Sequence, residues 1–234
     1  MAKPGDPRSD VHPRRRGTKP QTRERLVAAT LGLLRAGGES AVSTVSVTRA
    51  AGIVQSAFYQ HFTNVEACLT AAAEWVARHI REVVADARRA MYRSGPGAGE
   101  DLERFYGIVF GLVTRQRPML ELFLRYRTDP LALGGVMHRL DGDLRADLAR
   151  DLAEQAGRAG LTMAADWVDA LADNLTGACL SAIEARLSGR GPGAEESARL
   201  LAAFTTGACL GVIEASRSHA EGRHPQPDRS DTEN

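Results

Sequence analysis

The sequence predicts an all-α chain. A three-helix head occupies residues 21–66 and a larger helical body residues 67–219, flanked by an irregular arm at 1–20 and a tail at 220–234. Three observations carry this expectation. Apolar residues recur at spacings of three and four along most of the chain, and no stretch alternates with period two for long enough to make a strand. Two short helical patterns meet at Ala51 and Gly52, where a small residue and a glycine permit a steep, tight junction. Charge is divided between the two ends. Residues 1–62 hold ten Lys and Arg against four acids, a net +6, and the remaining 20 basic and 25 acidic residues leave −5. A basic head on an acidic body suggests that one end meets a polyanion and the other does not.

The elements follow in order. Pro4, Pro7, Pro13 and Pro20 sit among scattered charges with almost no apolar residues, so 1–20 reads as a disordered basic arm. Leu26, Thr30, Leu33 and Leu34 define a first helix from residue 22, stopped by Gly37 and Gly38. Ser43 or Thr44 caps a second helix that ends at Gly52, and a third spans 55–62. Asn64 caps a long fourth helix to residue 92, broken by Ser94, Gly95, Pro96 and Gly97. Further helices are predicted over 100–115, 118–127, 136–157, 162–187 and 194–218, the last two separated by Gly189, Gly191, Pro192 and Gly193. Pro118 stands near a helix start, where its missing N–H costs nothing.

Composition excludes several classes. Hydrophobic residues make up 43 % and charged residues 25 %, the range of an ordinary folded chain. No run of apolar residues approaches the length of a membrane span, and the N-terminus has no apolar segment behind its basic residues, so a cytoplasmic protein is expected. Cys68, Cys179 and Cys209 are an odd number without a close pair, which argues against a disulfide framework or a zinc knuckle. No glycine-rich phosphate loop, nucleophile elbow or convincing carboxylate pair appears, so no enzyme is expected, and no cofactor or metal.

The segment 43–62 carries most of the chemistry. Val47, Ala51, Ile53, Phe58 and Phe62 are spaced to build a small core with Leu26, Leu33 and Leu34. Gln55, Ser56, Ala57, Tyr59, Gln60 and His61 are left on or near the outward side of the third helix. Glutamine can pair bidentately with adenine, serine can bond several base edges, and an alanine methyl can touch the methyl of thymine. The Tyr59 hydroxyl and His61 suit phosphate oxygens, which position a protein without reading sequence.

Ala51, Gly52, Ile53, Phe58, Tyr59, His61 and Phe62, in this order behind a basic first helix, resemble the signature of the TetR family of transcription regulators. The resemblance covers residues 20–70 and extends to the remainder in architecture alone. It implies an N-terminal helix-turn-helix DNA-binding domain and a C-terminal helical domain for ligand binding and dimerisation. It further implies phosphate contacts from Thr44, Tyr59 and the fourth helix at Asn64, and base contacts from Gln55, Ser56 and Gln60. Two positions depart from the pattern. Val54 stands where Ser or Thr is frequent and cannot cap the third helix, and Val65 stands where Lys is frequent. The arm residues Arg14, Arg15, Arg16 and Lys19 are placed to offset the lost phosphate grip. A narrower similarity runs from Phe58 to Ala67 and over Leu122–Arg127. It is to bacterial repressors of unsaturated fatty-acid synthesis, and it implies a long-chain acyl thioester as ligand.

In the body, Leu112, Met119, Leu122, Phe123, Trp167 and Leu171 are first of all core by spacing, with some of them candidate pocket wall. Arg125 and Arg127 are the nearest cations, read either as a head-group clamp or as ordinary surface charge. His79, His138 and His219 lack metal-ligand spacing, and Cys179 and Cys209 read as small core residues. The segment 176–185 recurs in part at 206–215, so Gly177, Ala178 and Ser181 on one helix echo Gly207, Ala208 and Gly211 on the other. Such smooth stripes suit close packing across a two-fold axis, a homodimer built through the last two helices. The expected partners are double-stranded operator DNA, a second copy of the chain and a small hydrophobic effector that releases the DNA, with no membrane. The alternative is an architectural, nucleoid-associated DNA-binding protein without a small ligand.

Overall fold

A computed structural model describes residues 19–93, 99–125 and 132–221. Among these residues every regular element is helical. The chain forms two compact units divided between Leu69 and Thr70, inside the first turns of a helix common to both. Residues 1–18 of the predicted arm, 222–234 of the predicted tail and the end of the helix expected to reach Arg127 lie outside the described residues, whereas 19–20 belong to the first helix and 220–221 to the last.

In the first unit, α1 (Lys19–Gly37) is followed by a short 3-10 turn (Glu39–Ala41), α2 (Thr44–Ala51) and α3 (Gln55–Phe58). Ser43 is the N-cap of α2: its hydroxyl accepts from the Ser46 N–H at 3.1 Å, and the Ser46 hydroxyl accepts from the Ser43 N–H at 2.9 Å. Two otherwise orphaned donors are thereby satisfied in a reciprocal capping box. Gly52 ends α2 at φ 62, a left-handed conformation that glycine adopts without a Cβ penalty. An Arg25 N–H from α1 donates to the Ala51 carbonyl at the same junction, so the turn is held from outside as well as by its own backbone.

Leu26, Leu34, Val47, Phe58 and Cys68 are almost wholly buried and form the centre of this unit. Each such aliphatic or aromatic side chain contributes about 1.5–3 kcal/mol by leaving water. The Thr30 hydroxyl donates to the Leu26 carbonyl at 2.9 Å and lies 3.2 Å from the Cys68 sulfur, and the Thr48 hydroxyl donates to the Thr44 carbonyl at 2.8 Å, so both buried hydroxyls are satisfied. Ile53 and Leu33, expected in the same core, are only half-buried. The third helix is regular for four residues rather than eight. Beyond Phe58 the His61 N–H reaches back to the Phe58 carbonyl at 2.9 Å, the tighter three-residue step by which short helices close their last turn.

The second unit contains most of α4 (Val65–Arg93), then α5 (Gly99–Arg115), α6 (Arg117–Arg125), α7 (Ala132–Arg158), α8 (Ala165–Leu187) and α9 (Ala194–Glu221). Tyr106 and Phe110 of α5 pack on Ala198, Leu201 and Ala202 of α9. Alanines there let the two helices approach closely, and the Tyr106 hydroxyl closes the contact at 2.6 Å from Thr205 Oγ1. α7 starts four residues earlier than expected, through Gly134 and Gly135, because burial of Leu133, Val136 and Leu140 outweighs the poor helix propensity of glycine. α8 starts three residues later than expected. Leu161 and Met163 precede it and turn into a cavity instead.

α4 meets α7 through long side chains. Glu74 pairs with Arg139, Arg81 with Asp143 and Asp147, and Arg88 with Asp151. The residue numbers rise together, so the two helices run in the same direction. α9 was not expected to resemble a membrane span, yet its segment Ala194–Ser218 is the one stretch among the described residues long and apolar enough by composition. Its apolar score comes from residues on two faces. One packs on α5, and the other leaves Leu200, Phe204 and Leu210 exposed.

Candidate nucleic-acid interface and internal cavity

The first unit presents a mixed polar and apolar surface around α2 and α3. Gln55, Ser56 and Gln60 are exposed, Tyr59 is 57 % exposed, and Ala57 and His61 are half-buried. The backbone reason is the same for all: Phe58 and Phe62 face inward with their rings tilted against one another at 5.7 Å, which turns their neighbours outward. The Tyr59 ring stands edge-on to Phe58 at 5.5 Å, so its position is fixed while its hydroxyl remains in solvent. Arg23 of α1 lies over the Phe62 ring at 5.2 Å and braces the same cluster. Thr44 is the first residue of α2 and is half-buried, next to the Ser43 cap. Asn64 is exposed, and its side-chain oxygen accepts from the Ala67 N–H at 2.8 Å, capping α4. Val54 occupies the N-cap of α3 with no side-chain hydrogen bond, as its chemistry requires.

Residues 43–62 therefore bring Gln55, Ser56, Tyr59 and Gln60 together on one short, exposed segment. Two exposed valines accompany them, Val54 at 66 %, already noted as a departure from the family pattern, and Val45 at 51 %, which the sequence pattern did not single out. Helical spacing alone places a valine inside or outside with equal ease on helices this short.

The second unit encloses a cavity of about 1020 Å³. This is at the upper end of the range of small-molecule sites, about 300–1,000 Å³. Its wall is mainly aliphatic and aromatic, from all six of the helices α4 to α9. Of the six predicted ligand contacts, Leu112, Phe123 and Leu171 line it. Met119, Arg125 and Trp167 do not. Met119 is buried on α6 without reaching the cavity, Arg125 is exposed at the end of that helix, and Trp167 is half-buried in the first turn of α8. Helical spacing identifies a residue as inward-facing without saying whether it faces a void or a neighbour.

The cavity's polar groups escaped the sequence reading. Arg88 and Tyr92, one turn apart on α4, both line it. Burial pushes the Tyr92 phenol up to about 12, so it stays protonated and able to donate. A signal was present: Ile80, Val84 and Arg88 form one stripe at four-residue spacing, and an arginine on an apolar stripe is a buried cation in waiting. Cys179 and Cys209, from the two copies of the repeated segment, face the same cavity. Burial pushes the Cys179 thiol up to about 12 and raises that of Cys209, which makes both poor nucleophiles at neutral pH. Among the described residues no cluster of three or more His, Cys, Asp or Glu is arranged to hold a metal ion.

No protein-family model matches this sequence, and no curated protein does. Solved structures do. A protein of Pseudomonas aeruginosa PAO1 described as a transcriptional regulator superposes with a TM-score of 0.65 at 21 % identity, over 87 % of this chain and 96 % of that one. A protein of Mesorhizobium loti MAFF303099 described as a TetR-family transcriptional regulator gives 0.65 at 14 % identity, over 83 % and 98 %. The transcriptional regulator FadR of Bacillus subtilis, solved in complex with stearoyl-CoA, gives 0.59 at 13 % identity, over 78 % and 96 %. The chain has the all-helical fold of TetR-family regulators.

Proposed function

We propose that this protein is a homodimeric, ligand-responsive transcription regulator that binds a palindromic operator through its first unit and an effector in the cavity of its second. The exposure of Gln55, Ser56, Tyr59 and Gln60 on α3 and the turn that closes it, behind the Gly52 junction, carries the DNA half of this reading. These side chains are the types that read base edges and grip phosphates, and a helix of this length enters a major groove end-on. Thr44 and Asn64, at the starts of α2 and α4, add backbone N–H groups suited to phosphate oxygens.

The dimer is built through α8 and α9. Leu200, Ala203, Phe204, Gly207 and Gly211 form an exposed stripe along α9, with Gly177 and Ser181 on α8 beside it. A Cβ added at Gly177, Gly207 or Gly211 meets nothing within 4 Å in the protomer, so these glycines serve no internal packing. A second copy placed there covers the apolar residues, and a dimer that reads successive major grooves needs its two α3 helices one helical turn of DNA apart, about 34–36 Å. The cavity supports a ligand-responsive regulator over an architectural DNA-binding protein, which has no use for an apolar chamber. α4 belongs to both units, so an effector that favours one placement of α4 changes the spacing of the DNA-binding heads and releases the operator.

Selection of bound fragments from a randomised duplex pool is the test. Enrichment of an inverted repeat with half-sites one turn apart supports the reading. Binding to every duplex alike, or to none, overturns it.

A further inference from the structure

The Arg88 side chain is 5 % exposed, the most deeply buried charged group among the described residues of the second unit, and it lies on the wall of the apolar cavity. Its Nε is 2.7 Å from Asp151 Oδ2. The N–H is not aimed at that oxygen, and Nε has no hydrogen-bond partner. The contact neutralises charge without using the directional donors. A guanidinium has five N–H groups in a fixed fork that fits a carboxylate bidentately. A buried N–H left without a hydrogen bond is expensive to maintain, and an anion that accepts from it relieves that cost. Asp151 is not itself part of the cavity wall and is 28 % exposed, so it can turn to water if another anion takes its place. Tyr92, one turn along α4, offers a protonated hydroxyl on the same wall.

We infer that the cavity takes an amphiphile with a free carboxylate head on a long apolar body, its head seated on Arg88 and Tyr92 in place of Asp151. The large aliphatic and aromatic wall holds the body, and the one deeply buried guanidinium selects the charge of the head. A neutral alcohol with the same body gains only the apolar contacts. An ammonium head meets Arg88 as a like charge, and Asp141, a wall residue whose buried Oδ1 also lacks a hydrogen bond, is already neutralised by Arg145 through Oδ2 at 3.0 Å. An acyl thioester puts an uncharged carbonyl where the carboxylate stands. The inference rests on the reading of this cavity as the effector site.

Displacement of Nile red from the full-length protein, without DNA, is the experiment. The competitors are dodecanoate, 1-dodecanol, dodecylamine and dodecanoyl-coenzyme A. Dodecanoate is expected to compete at a concentration about tenfold or more below that of dodecanol, with dodecylamine the weakest. Arg88→Met should bring dodecanoate and dodecanol to parity while leaving dodecanol unchanged. Asp151→Asn keeps the guanidinium and removes its rival anion, so it should strengthen dodecanoate alone, and it serves where Arg88→Met fails to fold. Parity in the wild type, a dodecanoate preference that survives Arg88→Met, or dodecanoyl-coenzyme A outcompeting dodecanoate regardless of residue 88 would each overturn the inference. Because no DNA is present, a protein that selects dodecanoate but binds no operator overturns only the DNA half of the proposed function.

Discussion

Gly207→Leu separates the proposed interface from the protomer's own packing, because the two predict changes of opposite sign. Within the protomer residue 207 is exposed on α9, and an added Cβ meets no heavy atom within 4 Å. The only internal effect is on helix propensity, where replacing a mid-helix glycine by a good helix former gains about 0.5–1 kcal/mol. The isolated fold should become slightly more stable. At a two-fold interface the same side chain enters a close-packed seam. Overpacking costs about 1–3 kcal/mol per site, and symmetry presents the site twice, giving about 2–6 kcal/mol. Dimer dissociation should rise by a factor of about 30 at the lower bound. Gly142→Leu is the control: that glycine is also exposed on a helix with nothing within 4 Å, but it lies on α7, away from the stripe. Sedimentation equilibrium gives the dissociation constant, and circular dichroism with thermal melting reports the fold. A Gly207→Leu dimer as tight as wild type refutes the assignment of α9 to the interface. So does equal weakening by Gly142→Leu. A helical monomer with lost operator binding agrees with it.

Tyr59→Phe removes one exposed hydroxyl and leaves the ring against Phe58, so binding to operator and random duplex should weaken alike by about 1 kcal/mol in mobility shifts. Gln60→Ala should instead relax preference at one base pair per half-site, by about 1–3 kcal/mol, read from binding to single-substituted operators. Asp147 accepts from Arg81 at 2.7 and 3.0 Å and from Arg150 at 3.0 Å, and the Arg81 hydrogen bonds hold its carboxyl below the usual carboxylate range. A depressed carboxylate pKa contributes stability above the unfolded pKa and loses it as pH falls through the folded one. Asp147→Asn should therefore lower stability at neutral pH, by about 1 kcal/mol given the half-exposed Arg81, and flatten the acid limb of the stability curve in urea titrations below about pH 4.

What was legible in the sequence was local. The Ser43 cap, the Gly52 stop, the Asn64 cap and the inward pair Phe58 and Phe62 each depend on residues within one or two turns, and all four stand in the structure as the spacing implied. What was not legible depended on partners far along the chain. Met119 and Phe123 have the same helical credentials, four residues apart on α6, yet only Phe123 borders the cavity. That distinction is made by the helices that pack on α6, namely α5, α7 and α8, and not by α6 itself. The early start of α7 is of the same kind, since two glycines stay helical only because Leu133 and Val136 find a core. Arg88 is the instructive case. Its place on an apolar stripe was visible, but its meaning required Asp151, 63 residues away, to lie beside it.

The distribution of ion pairs along α4 bears on how an effector moves that helix. Arg139 with Glu74, and Arg81 with Asp143, join groups that are each two-fifths or more exposed. Exposed pairs contribute about 0–1 kcal/mol each, so they hold α4 to α7 weakly. Arg81 with Asp147 is stronger, because the aspartate is 10 % exposed and the contact is bidentate. Of these pairs only Arg88 with Asp151 has a member on the cavity wall. A carboxylate that displaces Asp151 therefore unfastens α4 at its C-terminal half and leaves Arg81 as a fixed point one and a half to two turns earlier. The helix then has a pivot rather than a free slide. Asp151→Asn, in which the fastening is already cut, should accordingly weaken operator binding before any ligand is added. Operator affinity equal to wild type in Asp151→Asn would show that the Arg88 contact does not hold the DNA-binding placement.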